Sequence, residues 1–168
     1  MPTLYMLVGV PCSGKSTWHA HFTPIQNAVY VSTDRYVEEY AKNMDKTYSE
    51  VFNDVMPMCI EHMLADVENA RDAGQDIVWD QTSTTIKTRK KKIDMLPDYH
   101  KIAVVFETPD RKELDVRLSG RPGKHIPKNV VDSMIAGWQE PTMDEGFDEI
   151  WRIGWLTNTK QSYIMVNI

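Results

Sequence analysis

The chain has 168 residues, 42% hydrophobic and 26% charged, which suits one compact domain with its own core and leaves two domains cramped. Nineteen Lys and Arg against 24 Asp and Glu give a formal charge of -5, which argues against holding nucleic acid by global attraction but not against a local basic patch. Cys12 and Cys59 are too few for a disulfide scaffold and lack zinc-ligand spacing, and the apolar run from Leu4 to Val10 has no basic leader and is far shorter than the roughly 20 residues of a membrane span. The default expectation is a reducing, cytoplasmic setting with no signal peptide and no membrane anchor.

Thr3 to Val8 is an almost unbroken apolar run ending at Gly9, as expected of a central strand buried on both faces of a parallel sheet. Lys15 to Phe22 reads as a helix, and Ala28 to Ser32 as a second strand that stops at Thr33-Asp34. From Tyr48, apolar residues at 48, 51, 52, 55, 59, 63, 67 and 70 follow helical spacing, with Pro57 expected to kink or split the helix. Gly74 ends it, and Ile77-Val78-Trp79 forms a third strand that delivers Asp80 to its carboxyl end. A helix over Lys87 to Met95 and a strand over Ile102 to Phe106 follow. Thr108-Pro109 reads as the cap and first position of a helix through Leu118. Residues 119–124 form a Gly- and Pro-rich loop, another helix runs from Pro127 to Trp138, and Ile150–Ile153 and Tyr163–Val166 are expected to add one or two strands. Alternating strands and helices predict an α/β fold, a parallel sheet with helices on both faces.

Gly9-Val10-Pro11-Cys12-Ser13-Gly14-Lys15-Ser16 matches G-x-x-x-x-G-K-[ST] without a gap, between an apolar strand and a helix. Glycine lets backbone N–H groups approach phosphate oxygens at the positive end of a helix dipole. Lys15 is expected to reach the β- and γ-phosphates and the Ser16 hydroxyl to hold Mg²⁺; an ordinary turn before a helix is the competing reading. Cys12 is read as a small side chain at a tolerant position. His19, His21, His62, His100 and His125 form no recognisable metal set.

A phosphate loop alone leaves ATPases, GTPases and kinases open. No guanine-reading N-K-x-D segment is present. Asp34 and Asp80 both fall just past strand ends, where ligands bind in such sheets, and are expected to converge near the γ-phosphate. A carboxylate there can accept a hydroxyl proton or orient an alcohol for in-line attack. Each can also be a helix cap, and Asp80 can instead be the carboxylate on the Mg²⁺ side. Arg117 and Arg121, four apart at a helix end and loop start, suit a lid that brings guanidinium groups to ATP and excludes water. Between Lys87 and Lys128, twelve basic residues stand against six acidic ones, a net +6 against -11 elsewhere. The run Lys87-Thr88-Arg89-Lys90-Lys91-Lys92 is either a solvated helix face or a steering patch for a polyanion.

These segments resemble the kinase module of the polynucleotide 5′-hydroxyl kinases. The residues carrying the resemblance are Gly9 to Trp18, Ser32-Thr33-Asp34 with Tyr36, Asp80 with Thr82, and Arg117-x-x-x-Arg121. Ile126-Pro127 with Val131 and Met134, and Glu140 to Phe147 (E-P-T-x-x-E-G-F), complete the set. The resemblance implies one P-loop kinase domain over residues 1–168, with an arginine-bearing lid at about 117–128 and no room for a phosphatase domain. It implies ATP and Mg²⁺ as cofactors, a DNA or RNA end as substrate, and a nucleotide-binding stretch running from Gly9 through Ser16 to Thr17 with Arg117 and Arg121. Asp34 is then the base on the acceptor hydroxyl, Lys15 and Arg121 stabilise the phosphoryl group, Ser16 holds Mg²⁺, and Asp80 and Thr82 lie on the acceptor side. Where the family's bacteriophage pattern has an arginine three residues after the base, this chain has Val37, with Arg35 the nearby substitute. The alternatives are a kinase for a nucleoside, small metabolite or hydroxymethylated base in DNA, and an ATP-binding switch module whose Trp138, Trp151 or Trp155 would mark an interface.

Overall fold

The computed structural model describes residues 1–155 and 162–167. Strand β1 (Thr3–Val8) leads through the glycine-containing loop into helix α1 (Lys15–His21); β2 (Val29–Val31), α2 (Thr33–Asn43) and α3 (Tyr48–Asp72) follow. Next come β3 (Ile77–Asp80), α4 (Ile86–Met95), β4 (His100–Phe106), α5 (Arg111–Ser119), α6 (Lys128–Ala136), β5 (Glu149–Trp155) and β6 (Ser162–Asn167). The sheet order is β2-β3-β1-β4-β5-β6, with five parallel strands and β6 antiparallel to β5. This is the expected α/β architecture, and both tail segments join the sheet.

The apolar run of β1 is explained by its central place. Leu4, Met6 and Val8 enter a core with Trp79, Ala103, Val105 and the α3 residues Met63, Val67 and Ala70. Leu7 enters the opposite core with Trp18 of α1, Val78, Val104 and Phe106. The strand period of two thus feeds both faces, and burial of large side chains contributes about 1.5–3 kcal/mol each. A further cluster joins α2 to α3 through Val37, Ala41, Val51, Val55 and Cys59.

Several expectations change. Helix α2 occupies residues to which the sequence reading gives no element. Its segment is charged, and only Thr33, Val37 and Ala41 are buried. Helix α3 runs unsplit through Pro57, because that residue is on the solvent side, where the Asn53 carbonyl it deprives of a donor can be hydrated. Phe52 leaves the expected apolar stripe and is 36% exposed. Helix α5 is capped by Asp110, whose carboxylate accepts from the Glu113 N–H at 3.0 Å, rather than by Thr108-Pro109; an anion at the positive helix end does this better than a threonine hydroxyl.

The basic run is also not one face. Arg89 is fully buried and donates to both carboxylate oxygens of Glu145 at 2.8 Å and to the Ser83 carbonyl at 2.9 Å. Lys92 is buried against Ser83 Oγ and the Trp79 ring, where loss of solvent pushes its pKa down to about 7. The E-P-T-x-x-E-G-F stretch is the other half of this lock: Glu145 also accepts from the Thr142 N–H, Gly146 turns with φ 103°, and Phe147 enters the core. Trp138 and Trp151 are half-buried, each donating to a nearby glutamate; the Trp155 side chain lies outside the described residues.

Candidate active site

The carboxyl ends of β1, β2, β3 and β4 open into one cleft. It is lined by the loop 11–17, by Ser32 to Arg35 after β2, by Asp80 to Thr82 at the end of β3, and by Glu107 to Asp110 after β4. Arg117, Arg121 and Lys124 close one side, and Tyr48, Phe52 and Met56 of α3 line another. Asp34 and Asp80 therefore do share a cleft with the glycine loop, as their strand-end positions predict.

The loop's shape follows from its residues. A side chain at Gly9 would place its Cβ 2.4 Å from Ser13 Oγ and 3.1 Å from Phe106 Cβ, so glycine is what fits there without displacing Ser13. Cys12 adopts φ 62° and Gly14 φ 100°, which turns the chain tightly into α1. The Cys12 backbone carbonyl accepts from Arg117 Nη1 at 3.1 Å, and its Sγ lies 3.6 Å from Arg121 Nη1. Both arginines meet the loop at one residue.

Lys15 donates to the carbonyls of Gly9 and Val10 at 3.0 and 2.9 Å. It is buried, which pushes its pKa down against the opposing pull of Asp80 and Asp34, yet it makes no ion pair among the described residues. Ser13 Oγ is likewise buried without a hydrogen-bond partner. A buried cation lacking a counterion beside an orphaned hydroxyl fits an incoming phosphate. Ser16 Oγ stands 3.5 Å from Asp80 Oδ2, one hydroxyl and one carboxylate, a donor set that suits Mg²⁺ completed by phosphate and water oxygens. Among the described residues no cluster of three His, Cys, Asp or Glu side chains could hold a metal by itself.

Asp80 also accepts from the Tyr30 hydroxyl at 2.5 Å, and burial together with that carboxylate raises the tyrosine pKa. Asp34 lies in the first turn of α2 rather than at its cap, which is Ser32. Its two oxygens accept from Tyr48 OH and Lys124 Nζ, each at 2.6 Å. Burial pushes Asp34 toward its neutral form, but Lys124 and the two hydrogen bonds prevail and hold the carboxyl below its ordinary range. Thr82 lines the cleft, and its carbonyl accepts the Gly9 N–H at 2.9 Å, tying β3's exit to the loop.

Arg35 reaches the cleft but is bound to Asp66 of α3 at 2.7 Å and to Tyr36 OH at 3.0 Å. Val37 is fully buried between α2 and α3, so an arginine at that position has no open path to the cleft here; Glu38, one residue on, lines it instead. Tyr30, Tyr48, Glu38 and Lys124 have no assigned role in the sequence reading. Tyr48 is hidden in it as one of the helix's apolar positions. The signal for Lys124 is its place three residues after Arg121 in the Gly- and Pro-rich loop.

A model of the AAA domain family matches residues 4–141. Among solved structures, a chain of the PezAT toxin-antitoxin system of Streptococcus pneumoniae superposes with a TM-score of 0.65 at 15% identity, over 90% of this chain and 66% of that one. A chain of the Pnkp1/Rnl/Hen1 RNA repair complex gives 0.61 at 23% identity, over 81% of this chain and 43% of that one. A gluconokinase from Sinorhizobium meliloti gives 0.57 at 18% identity, over 90% and 82%. This chain therefore spans less than two thirds of the first two. The likenesses identify the architecture as a P-loop kinase-like fold.

Proposed function

The chain belongs to the AAA domain family, and from that premise we propose that it is a Mg²⁺-dependent kinase that transfers the γ-phosphoryl group of ATP to a nucleic-acid hydroxyl, the 5′-hydroxyl end of DNA or RNA. The observation that carries the reading is the ionised Asp34 carboxylate in the same cleft as Lys15, Arg121 and the Ser16–Asp80 pair. A nucleotide-binding switch needs the loop and the metal-side pair but has no use for a second, solvent-facing carboxylate held by two donors.

The backbone of Gly9 to Thr17 and the Lys15 ammonium would hold the phosphates, with Arg117 and Arg121 closing from the lid, and Ser16 with Asp80 would hold the metal ion. When bound, the nucleotide supplies the phosphoryl group and the metal ion spreads its charge. Asp34 orients the acceptor O–H and takes its proton at Oδ as the new P–O bond forms and the bond to ADP breaks. Lys15 and Arg121 offset the charge on the transferred group. A carboxylate offers about four acceptor sites, and Tyr48 and Lys124 use two, which leaves room for the hydroxyl.

Support for a nucleic-acid acceptor comes from the α3 side of the cleft, where the exposed Phe52 ring beside Tyr48 offers a stacking face for a base, and from the likeness to a chain of an RNA repair complex. A second reading, a small hydroxyl compound or nucleoside, is favoured by the α2 side of the cleft, where Glu38 stands and the lining cation, Arg35, is already paired with Asp66. An acceptor panel with γ-labelled ATP separates them. The expected outcome is label on 5′-hydroxyl oligonucleotides, none on 5′-phosphorylated ones, and little on nucleosides or sugars. Asp34→Asn should lower transfer by about 100-fold or more while nucleotide binding persists. Label on the small acceptors alone would transfer the assignment to the second reading.

A further inference from the structure

The lid carries a cation whose hydrogen-bond partner is Asp34 rather than the phosphate loop. Lys124 Nζ lies 2.6 Å from Asp34 Oδ2, 3.5 Å from Glu38 Oε1 and 4.1 Å from the centre of the Tyr48 ring, and its side chain is only 8% exposed. A lysine on a Gly- and Pro-rich surface loop ordinarily extends its head into water. Here it is enclosed by two carboxylates and a ring face.

Besides the approach of Arg121 to Cys12, the loop that carries it is fastened to the start of α3. Ser49 N–H donates to the Gly123 carbonyl at 3.1 Å, and the His125 N–H donates to Ser49 Oγ at 2.8 Å. Gly123 has φ +68°, and a Cβ there would lie 3.1 Å from Thr47 Cβ, so the lid lies directly against the first turn of α3. That turn also presents Tyr48, the second donor to Asp34. Lid and α3 thus reach the carboxylate from two directions, each with one hydrogen bond, and are clamped to one another by Ser49.

We propose that Lys124 is a positioning residue through which lid closure sets the ionisation and orientation of Asp34, so that the base is armed only when the lid is seated on the start of α3. The proposal rests on the kinase reading in which Asp34 serves the acceptor hydroxyl. The groups facing Asp34 are Lys124 and Arg121 from the lid, Tyr48 from α3 and Lys15 from α1, with Glu38 on its own helix sharing Lys124. Without Lys124, burial acts on the carboxyl with its main opposing charge removed, and Asp34 moves toward its neutral form at higher pH.

The test combines two readouts on wild type, Lys124→Met, Lys124→Arg and Ser49→Ala. The first is the pH dependence of kcat/KM and of kcat for transfer to a 5′-hydroxyl oligonucleotide. The second is titration of the Asp34 carboxyl carbon by NMR, which needs no turnover. In Lys124→Met the acid limb and the Asp34 titration should both move up by about one pH unit or more, and kcat should fall about tenfold. Lys124→Arg, which keeps a cation on the lid, should restore most of both. Ser49→Ala leaves the lysine in place but loosens the clamp, and should shift both readouts in the same direction by less. The proposal is overturned if Lys124→Met leaves the Asp34 titration unmoved, or if it raises only the KM for nucleotide, as a lid anchor without effect on Asp34 would. Absence of transfer by wild type to any acceptor would instead bring down the kinase reading, and the carboxyl titration would still decide whether Lys124 sets the state of Asp34.

Discussion

Arg89 and Glu145 sit far apart in the chain and bind one another with almost no solvent at either side chain. In the sequence, Arg89 is one of five basic residues within six positions and Glu145 one of several acids after a proline; neither announces a partner. The same holds for Lys124 and Asp34, because sequence spacing reports periodicity along an element and not which loop folds over which helix. By contrast the placement of Lys15 and Ser16 at the glycine loop is legible, since the motif fixes the local backbone shape there. Arg89→Ala leaves Glu145 buried without its cation, and breaking a buried pair on one side costs about 3–5 kcal/mol. Urea denaturation should show a loss of that order, with Glu145→Ala similar and the double variant less than additive. An effect below about 1 kcal/mol would mean that the pair does not lock α4 to the turn before β5. The pH dependence of the Lys124–Asp34 contact follows the same logic. Asp34's carboxyl is held below its unfolded value, so the stability it contributes is present at neutral pH and is lost as the pH falls into the range below an ordinary aspartate.

Strands and long helices were largely legible because their burial pattern is periodic. β1, β3 and β4 are buried on both faces, and their apolar runs say so. α3 buries Val51, Val55, Cys59, Met63, Val67 and Ala70, each three or four residues from the last. α2 was not legible, since a helix anchored by Val37 and Ala41 amid charged residues leaves too short an apolar stripe. Pro57 misleads in the opposite sense: a local rule predicts a break, and packing on either side of it overrides the rule. Thr47 reinforces that helix with a capping box: its hydroxyl accepts from the Glu50 N–H while the Glu50 carboxylate accepts from the Thr47 N–H. The proline still forgoes a hydrogen bond. Pro57→Ala should therefore stabilise the protein by about 1–3 kcal/mol, seen as a higher urea midpoint with transfer activity unchanged. A loss of stability would show that the helix uses the proline's geometry.

On the scale of the molecule, the net charge of -5 averages over an arrangement that only the fold reveals. Arg89, Lys92 and Lys101 of the basic segment are buried, and no residue of α4 lines the cleft. The cations that do line it are Lys15, Arg35, Arg117, Arg121 and Lys124, gathered from four separate parts of the chain. The basic segment is thus not a continuous steering patch; its contribution to the cleft is the three residues of α5 and the lid. Under the proposed kinase function, these cations would engage one end of a polyanion rather than coat it. No helix of the described residues is long and apolar enough to cross a membrane. In the proposed reaction, the phosphoryl group leaves ATP for the terminal 5′-hydroxyl of a nucleic acid. The most direct measurement is to incubate a 5′-hydroxyl oligonucleotide of defined sequence with γ-labelled ATP and Mg²⁺, digest the product to 5′-mononucleotides, and identify the labelled species. A 5′-hydroxyl kinase leaves label in the 5′-terminal nucleotide alone; label in free phosphate only, or in internal nucleotides, would overturn that assignment.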